Sequence, residues 1–512
     1  MSASIKFAKV YSSFVEGVEA TVSEIEVSIT PGIPTFDIIG LCDSSIRESE
    51  GRIRSSMVSS GFSMPKGHIT VGISPAYIKK SGTSFDLPIA AGILFASGQL
   101  LMPQGSIYLE GELSLTGNIR STPASALRLH RAKEQGFDFV IIPEGAVKAA
   151  ECAGILAMTL GSLGDLRDIF IYGRYEPALY NMDSFMGPSE SLVDIAELKG
   201  QQKAKRALVI AASGCHTLLL LGSPGCGKTM AGRIISGLLP EPDREEAAEI
   251  FAVNEILEKD YVPDIITRPY RYIDQHSTPG SLVGSSRLLT PGELALANHG
   301  VLFADEITEF PRQTLEMLRQ PLEMRSVTVY GKGRKHIFPA NYIFVAAGNP
   351  CKCGYAFEGK KCRCSPSARR KYLSRLSGPF LDRMDLICEM VTIEGSAKQK
   401  ILDDPGGPSE ESFEAMKKIM TARAAQRERY KDMGKYVFNS NVQGTGYKDL
   451  WRIPSAVFRH LEEMSDKGFV SARGYLGIVR VARTIADIEE HRDIEKEDVD
   501  EAVLFRRLEG CI

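Results

Sequence analysis

Residues 222–229 read Gly222, Ser223, Pro224, Gly225, Cys226, Gly227, Lys228 and Thr229, with Met230 next. Spaced as G-x-x-x-x-G-K-T, these types suit the grip of a triphosphate. Glycines let the backbone curl until its N–H groups converge, and a following helix contributes the positive end of its dipole. Lys228 is placed to reach the β- and γ-phosphates, and the Thr229 hydroxyl to ligate Mg²⁺. The whole run through Met230 is the expected nucleotide contact. About eighty residues on, HGVLFADEITEF ends an apolar run in Asp305 and Glu306. Asp305 is suited to hold Mg²⁺, directly or through water, and Glu306 to orient and deprotonate an attacking water. Taken alone, each stretch has a plainer reading, a glycine turn for the first and an acidic strand end for the second.

Context favours the chemistry. LLLLG precedes the glycine run and a helix-like pattern follows it, so the motif sits at a strand-to-helix turn. The distance to Asp305 leaves room for a strand or two in one doubly wound sheet. A chain of 512 residues exceeds one ordinary core and implies several domains. Its 43% apolar and 24% charged residues are those of a soluble globular protein, and no apolar run is long enough to span a membrane. The first residues lack a secretory h-region and most cysteines are scattered, so a reducing, cytoplasmic setting is expected. The net charge of −3 excludes a global basic footprint, so any nucleic-acid contact must come from local patches.

Two such patches stand out. Cys351, Cys353, Cys362 and Cys364 form C-x-C-x₈-C-x-C, interleaved with Lys352, Lys360, Lys361 and Arg363. Four thiolates suit one tetrahedral Zn²⁺, although the one-residue gaps are tighter than usual. Redox thiols and core cysteines are the rival readings, and the interleaved cations argue against a core. With Arg369, Arg370, Lys371, Arg375 and the rings of Tyr355, Phe357 and Tyr372 nearby, the patch is fit for nucleic acid. The second patch, VTVYGKGRKHIF, reads strand, turn, strand, with Lys332, Arg334 and Lys335 at its tip. A solvated charged surface is the plainer reading of both.

Further stretches carry a family resemblance: FDIIGLCDSSIRESEGRIRSSM, KKSGTSFDLPIAAGIL and GELSLTGNIR early, LRQPLEMRSVTV, AAGNPCKCG and SGPFLDRMDL in the middle, SARGY and VARTIADIE late. Over essentially its whole length the chain resembles the ComM/YifB family of magnesium-chelatase-like AAA+ proteins. The resemblance implies an α/β multidomain protein. A Lon-protease-like α+β domain would span 1–172, a linker 173–188, and an AAA+ P-loop α/β domain 189–395 with a zinc-binding insert at 350–365. A connector at 396–412 and a helical C-terminal lid at 413–512 would follow. It gives Asn349 the sensor that holds the lytic water, Arg383 the arginine finger donated to a neighbour's site, and Arg473 the lid arginine. It favours a structural zinc on the four cysteines and places the Lys332–Lys335 hairpin in a pore.

The same resemblance puts Ser84 near the Lon nucleophile, but Ala126, Leu127 and Arg128 stand where a lysine is needed, and a guanidinium stays protonated. The fold is expected without the protease. Two departures are Gly284, Ser285 and Ser286 in place of a glycine run, and Gly477 where a basic residue is frequent. The implied function is an ATP- and Mg²⁺-dependent homo-oligomeric ring, a hexamer, moving single-stranded or branched DNA during uptake of transforming DNA. A magnesium-chelatase motor subunit, a non-motor scaffold or chaperone, and an ATP-dependent protease are the alternatives.

Overall fold

The computed structural model describes residues 6–16, 19–80, 82–174, 177–180, 187, 193–257, 263, 265–287, 289–331, 334–392, 409–434, 436–442, 447–468 and 472–506. The chain divides into two compact units. One is Met1–Met186 with Asp243–Ile266, and the other Gly187–Pro242 with Thr267–Ile512.

The first unit is built on an eight-stranded mixed sheet. Its long antiparallel pair, Lys6–Glu16 and Glu19–Thr30, alternates inward and outward side chains, with Val10, Phe14, Ile25 and Val27 buried on one face. Against that face lies the helix Asp86–Ser97, whose LPIAAGILFA segment is apolar all round and is accordingly buried nearly throughout. The helix approaches so closely that a Cβ on Gly92 would stand 2.6 Å from Val27 Cγ2. The opposite face carries helices Ser125–Gln135 and Val147–Ala153. Onto these packs a helix from far along the chain, Arg244–Leu257, through Ile250 and Phe251. Residues 243–266 fall inside the domain expected at 189–395, yet they cluster with this unit. Part of the expected linker at 173–188 is also sheet: Ala178–Leu179 pairs antiparallel with Leu156 and Ala157. Too short to show a period, this strand left no pattern in the sequence.

The second unit holds a five-stranded, wholly parallel sheet. In space the order is Tyr270–Ile273, Val301–Ala304, Ile343–Gly348, Leu218–Gly222, Leu386–Met390. Both faces are covered, which is why Leu218 to Leu221 is an unbroken apolar run. Leu218 and Leu220 join a core with helices Gln202–Gly214 and Lys228–Gly237, while Leu219 and Leu221 join one with helix Arg312–Met324. The C-terminal helices Glu410–Arg429, Ser455–Gly468, Ala472–Ile488 and Lys496–Leu504 extend the first of these cores through Ile419, Val479 and Ile485. Among the described residues no helix is long and apolar enough to cross a membrane.

Candidate functional site

Three adjacent strands of the parallel sheet end side by side, and each delivers a polar group at its C-terminal edge, where ligands of open α/β sheets bind. Leu218–Gly222 runs into the glycine loop, Val301–Ala304 into Asp305 and Glu306, and Ile343–Gly348, between them, into Asn349. The loop needs its glycines. Gly225 and Gly227 hold φ of 76° and 96°, and a Cβ on Gly222 would meet Cys226 Sγ and the Met390 carbonyl at 2.6 Å. Gly227 then caps helix Lys228–Gly237, so the first N–H groups of that helix face the loop. Ser223 and Cys226 are buried, whereas Pro224, Gly225, Thr229 and Met230 are exposed along the rim.

Lys228 reaches back across this loop. Its Nζ donates to Gly222 O at 2.7 Å, Ser223 O at 3.0 Å and Asn349 Oδ1 at 3.3 Å. All three acceptors are neutral, and burial pushes its pKa below the usual lysine range. Thr229 Oγ1 donates to Asp305 Oδ2 at 3.2 Å. Two hard oxygens at that separation fit adjacent positions of a Mg²⁺ octahedron, whose edge at ~2.1 Å ligand distance is about 3.0 Å. Glu306 follows at φ 51°, in the left-handed region, and its N–H is tied to Asp305 Oδ1 at 2.9 Å. The turn turns the Glu306 side chain outward, while Ile307 and Thr308 beyond it are buried.

The cysteine loop begins two residues after Asn349. All four Sγ atoms lie within 4.8 Å of one another, with separations of 3.4, 3.8 and 3.6 Å among Cys351, Cys353 and Cys362. Tetrahedral Zn²⁺ at ~2.3 Å per thiolate sets its sulfurs about 3.8 Å apart, so the cluster fits that ion. Backbone N–H groups of Tyr355 and Arg363 point at Cys353 Sγ and bring its pKa down to about 6, whereas burial drives Cys351 up to about 12. The loop also touches the nucleotide loop: a Cβ on Gly354 would sit 2.7 Å from Pro224 Cδ.

The two distant arginines meet. Arg383 donates to Arg319 O at 3.1 Å, Pro379 O at 2.6 Å and Glu323 Oε2 at 2.6 Å. Arg473 bonds the other oxygen of the same Glu323. Asp385, two residues after Arg383, instead faces His216 Nδ1 at 3.0 Å. Glu323 carries no sequence signal that marks it as the shared partner; only helix Arg312–Met324 brings it there.

The basic hairpin exists, Ser326–Gly331 pairing antiparallel with Arg334–Pro339. Lys335 on it is exposed, while Lys332 and the Arg334 side chain lie outside the described residues, as does the Lys360 side chain. Arg363 is exposed, and Lys361 is engaged with Glu358 at 2.7 Å. Gly477 has no side chain, but Arg506 fills the place, its Nη1 2.8 Å from where a Cβ would stand. Gly284 pairs with Pro291, and a Cβ there would meet Thr290 O at 2.2 Å. In the first unit Ser84 is buried, and Arg128 is locked to Glu110 Oε2 at 2.9 Å, so neither is poised for acyl chemistry.

Residues 194–398 match the family described as magnesium chelatase, subunit ChlI, residues 25–146 the subunit ChlI of Mg-chelatase, and residues 409–506 the ChlI C-terminal region. The chain is 33% identical to the uncharacterized protein YifB of Salmonella typhimurium, over 99% of this chain and 98% of that one. It is 34% identical to the competence protein ComM of Haemophilus influenzae, over 98% of each. A magnesium-chelatase 38 kDa subunit of Rhodobacter capsulatus is 27% identical, over 30% of this chain and 48% of its own. With full-length identity to ComM and YifB proteins and family models matching both units, the chain belongs to the ComM/YifB family of magnesium-chelatase-like AAA+ ATPases.

Proposed function

We propose that the protein is an ATP-driven, ring-forming motor that moves single-stranded or branched DNA, by branch migration, during the uptake and recombination of transforming DNA, and that it works in the cytoplasm. The observation that carries the ATPase half is the convergence of Lys228, Thr229, Asp305, Glu306 and Asn349 at three adjacent strand ends. In this reading a triphosphate displaces the loop carbonyls from Lys228, which then meets charge instead of neutral oxygen. Thr229 and Asp305 would hold Mg²⁺, which would supply positive charge to the phosphate oxygens. Glu306 takes the proton of the attacking water and Asn349 orients that water. Arg383 serves the neighbouring subunit's site and Arg473 the lid side of its own, with Glu323 holding both until then. A hexamer supplies the neighbour. Zn²⁺ on the four cysteines would brace the loop that abuts Pro224.

Support for the DNA half is the name of the Haemophilus relative and the basic hairpin and cysteine loop. The test is ATP turnover with and without forked or four-way DNA. DNA stimulates the wild type at low salt; turnover indifferent to every DNA structure overturns the reading.

A further inference from the structure

A cavity of about 960 Å³ opens beside the catalytic turn, between the segment that follows Glu306, the cysteine loop and helix Pro366–Leu373. Its walls carry Arg312, Lys352, Lys371 and Arg375 against one carboxylate, Glu309. That carboxylate is already matched: Arg375 Nη1 donates to its Oε2 at 2.6 Å and the Tyr372 hydroxyl to its Oε1 at 2.8 Å. Arg312, Lys352 and Lys371 make no ion pair among the described residues. A neutral donor joins them. Ser377 stands at the N-cap of Gly378–Leu381 but does not cap it, and its buried Oγ has no partner among the described residues.

We propose that this cleft seats the phosphate backbone of a single nucleic-acid strand and reports its presence to Glu306. The inference rests on the motor reading and gives it a contact site. Three cations on different walls suit a chain of phosphates better than one compact anion. Neither ring on its walls offers a free stacking face: Phe310 and Tyr372 are both buried, and the Arg375 guanidinium lies 5.2 Å from the Tyr372 ring centroid. Recognition therefore falls on phosphates and is indifferent to base sequence.

The link to catalysis is short. The Tyr372 hydroxyl sits 2.9 Å from Thr308 Oγ1, and Arg375 also reaches Thr308 O at 3.3 Å. Thr308 belongs to the turn Ile307–Glu309, which is closed by Glu309 N–H donating to Glu306 O at 2.7 Å. A phosphate that draws Arg375 away leaves Glu309 with Tyr372 alone and loosens the turn that aims Glu306. The cysteine loop gives a second route, since Lys352 lines the cleft while Gly354, two residues on, packs against Pro224 of the nucleotide loop.

The experiment measures binding of a labelled single-stranded oligothymidylate by fluorescence anisotropy across a salt series, together with ATP turnover. Lys352→Ala and Lys371→Ala each weaken binding about three- to tenfold and lower the salt slope by about 0.7, while Lys371→Arg retains it. Tyr372→Phe keeps the strand bound but loses the DNA stimulation of turnover, which for a coupled site is roughly fivefold or more. Unchanged affinity and slope in both lysine variants, with the wild type binding normally, overturns the cleft and leaves the motor reading standing. So does full stimulation in Tyr372→Phe for the link to Glu306. A wild type that binds no strand at low salt overturns the motor reading itself.

Discussion

Each unit of this chain sets a cation among oxygen acceptors, and the two are finished in opposite ways. In the first, Arg128 spends its donors on Glu110, Pro123 O, Thr122 and Ser125 Oγ, and Ser125 Oγ returns a bond to Glu110 at 2.5 Å. Glu255 closes the cluster by accepting the N–H groups of Ser125 and Ala126 at the start of their helix. In the second, Lys228 meets three neutral oxygens, and Asp305 and Glu306 stand at the open edge of a parallel sheet. A charge whose partners are all supplied by the protein holds structure together. A charge balanced only by carbonyls is free to exchange them for a phosphate.

That contrast breaks first at the open site. Glu306→Gln lowers ATP turnover by about 10²–10⁴-fold while nucleotide still binds, as read by steady-state hydrolysis and a fluorescent nucleotide analogue. Arg383→Ala costs about 10³-fold in the assembled protein. Turnover untouched by either substitution removes the proposed roles.

The closed site breaks differently. Arg128→Met leaves Glu110 buried without its cation, and the first unit loses about 3–5 kcal/mol in urea denaturation. A loss below ~1 kcal/mol would mean that the network is not structural.

The smallest effect separates the cluster's two carboxylates. Burial lifts Glu255 to about 7, against an ordinary glutamate value of 4.5. A carboxyl raised in the folded state binds more protons there than in the unfolded chain, so stability is full below about 4.5 and falls as pH rises to about 7. The fall is at most about 3 kcal/mol. Glu255→Gln flattens stability in that window. An unaltered pH profile would show that Glu255 does not titrate there.

Read forward along the chain, the nucleotide site is local. Glycine spacing, the leucine run and the acidic strand end occupy short stretches whose conformations follow from neighbouring residues alone, so the loop, the acidic strand end and the basic hairpin could be anticipated from residue types. The four cysteines are equally local, within one short loop. Contacts made by residues far apart carry no such mark. Glu323 between Arg383 and Arg473, Arg506 over Gly477, Tyr372 against Thr308, and helix Arg244–Leu257 on the first unit's sheet each join segments that only the folded backbone brings together. The amino-acid order alone therefore decided which chemistry the glycine loop is built for. Which cations stay free to perform it was decided by packing, because a side chain's partners are set by what the tertiary structure places within hydrogen-bond reach.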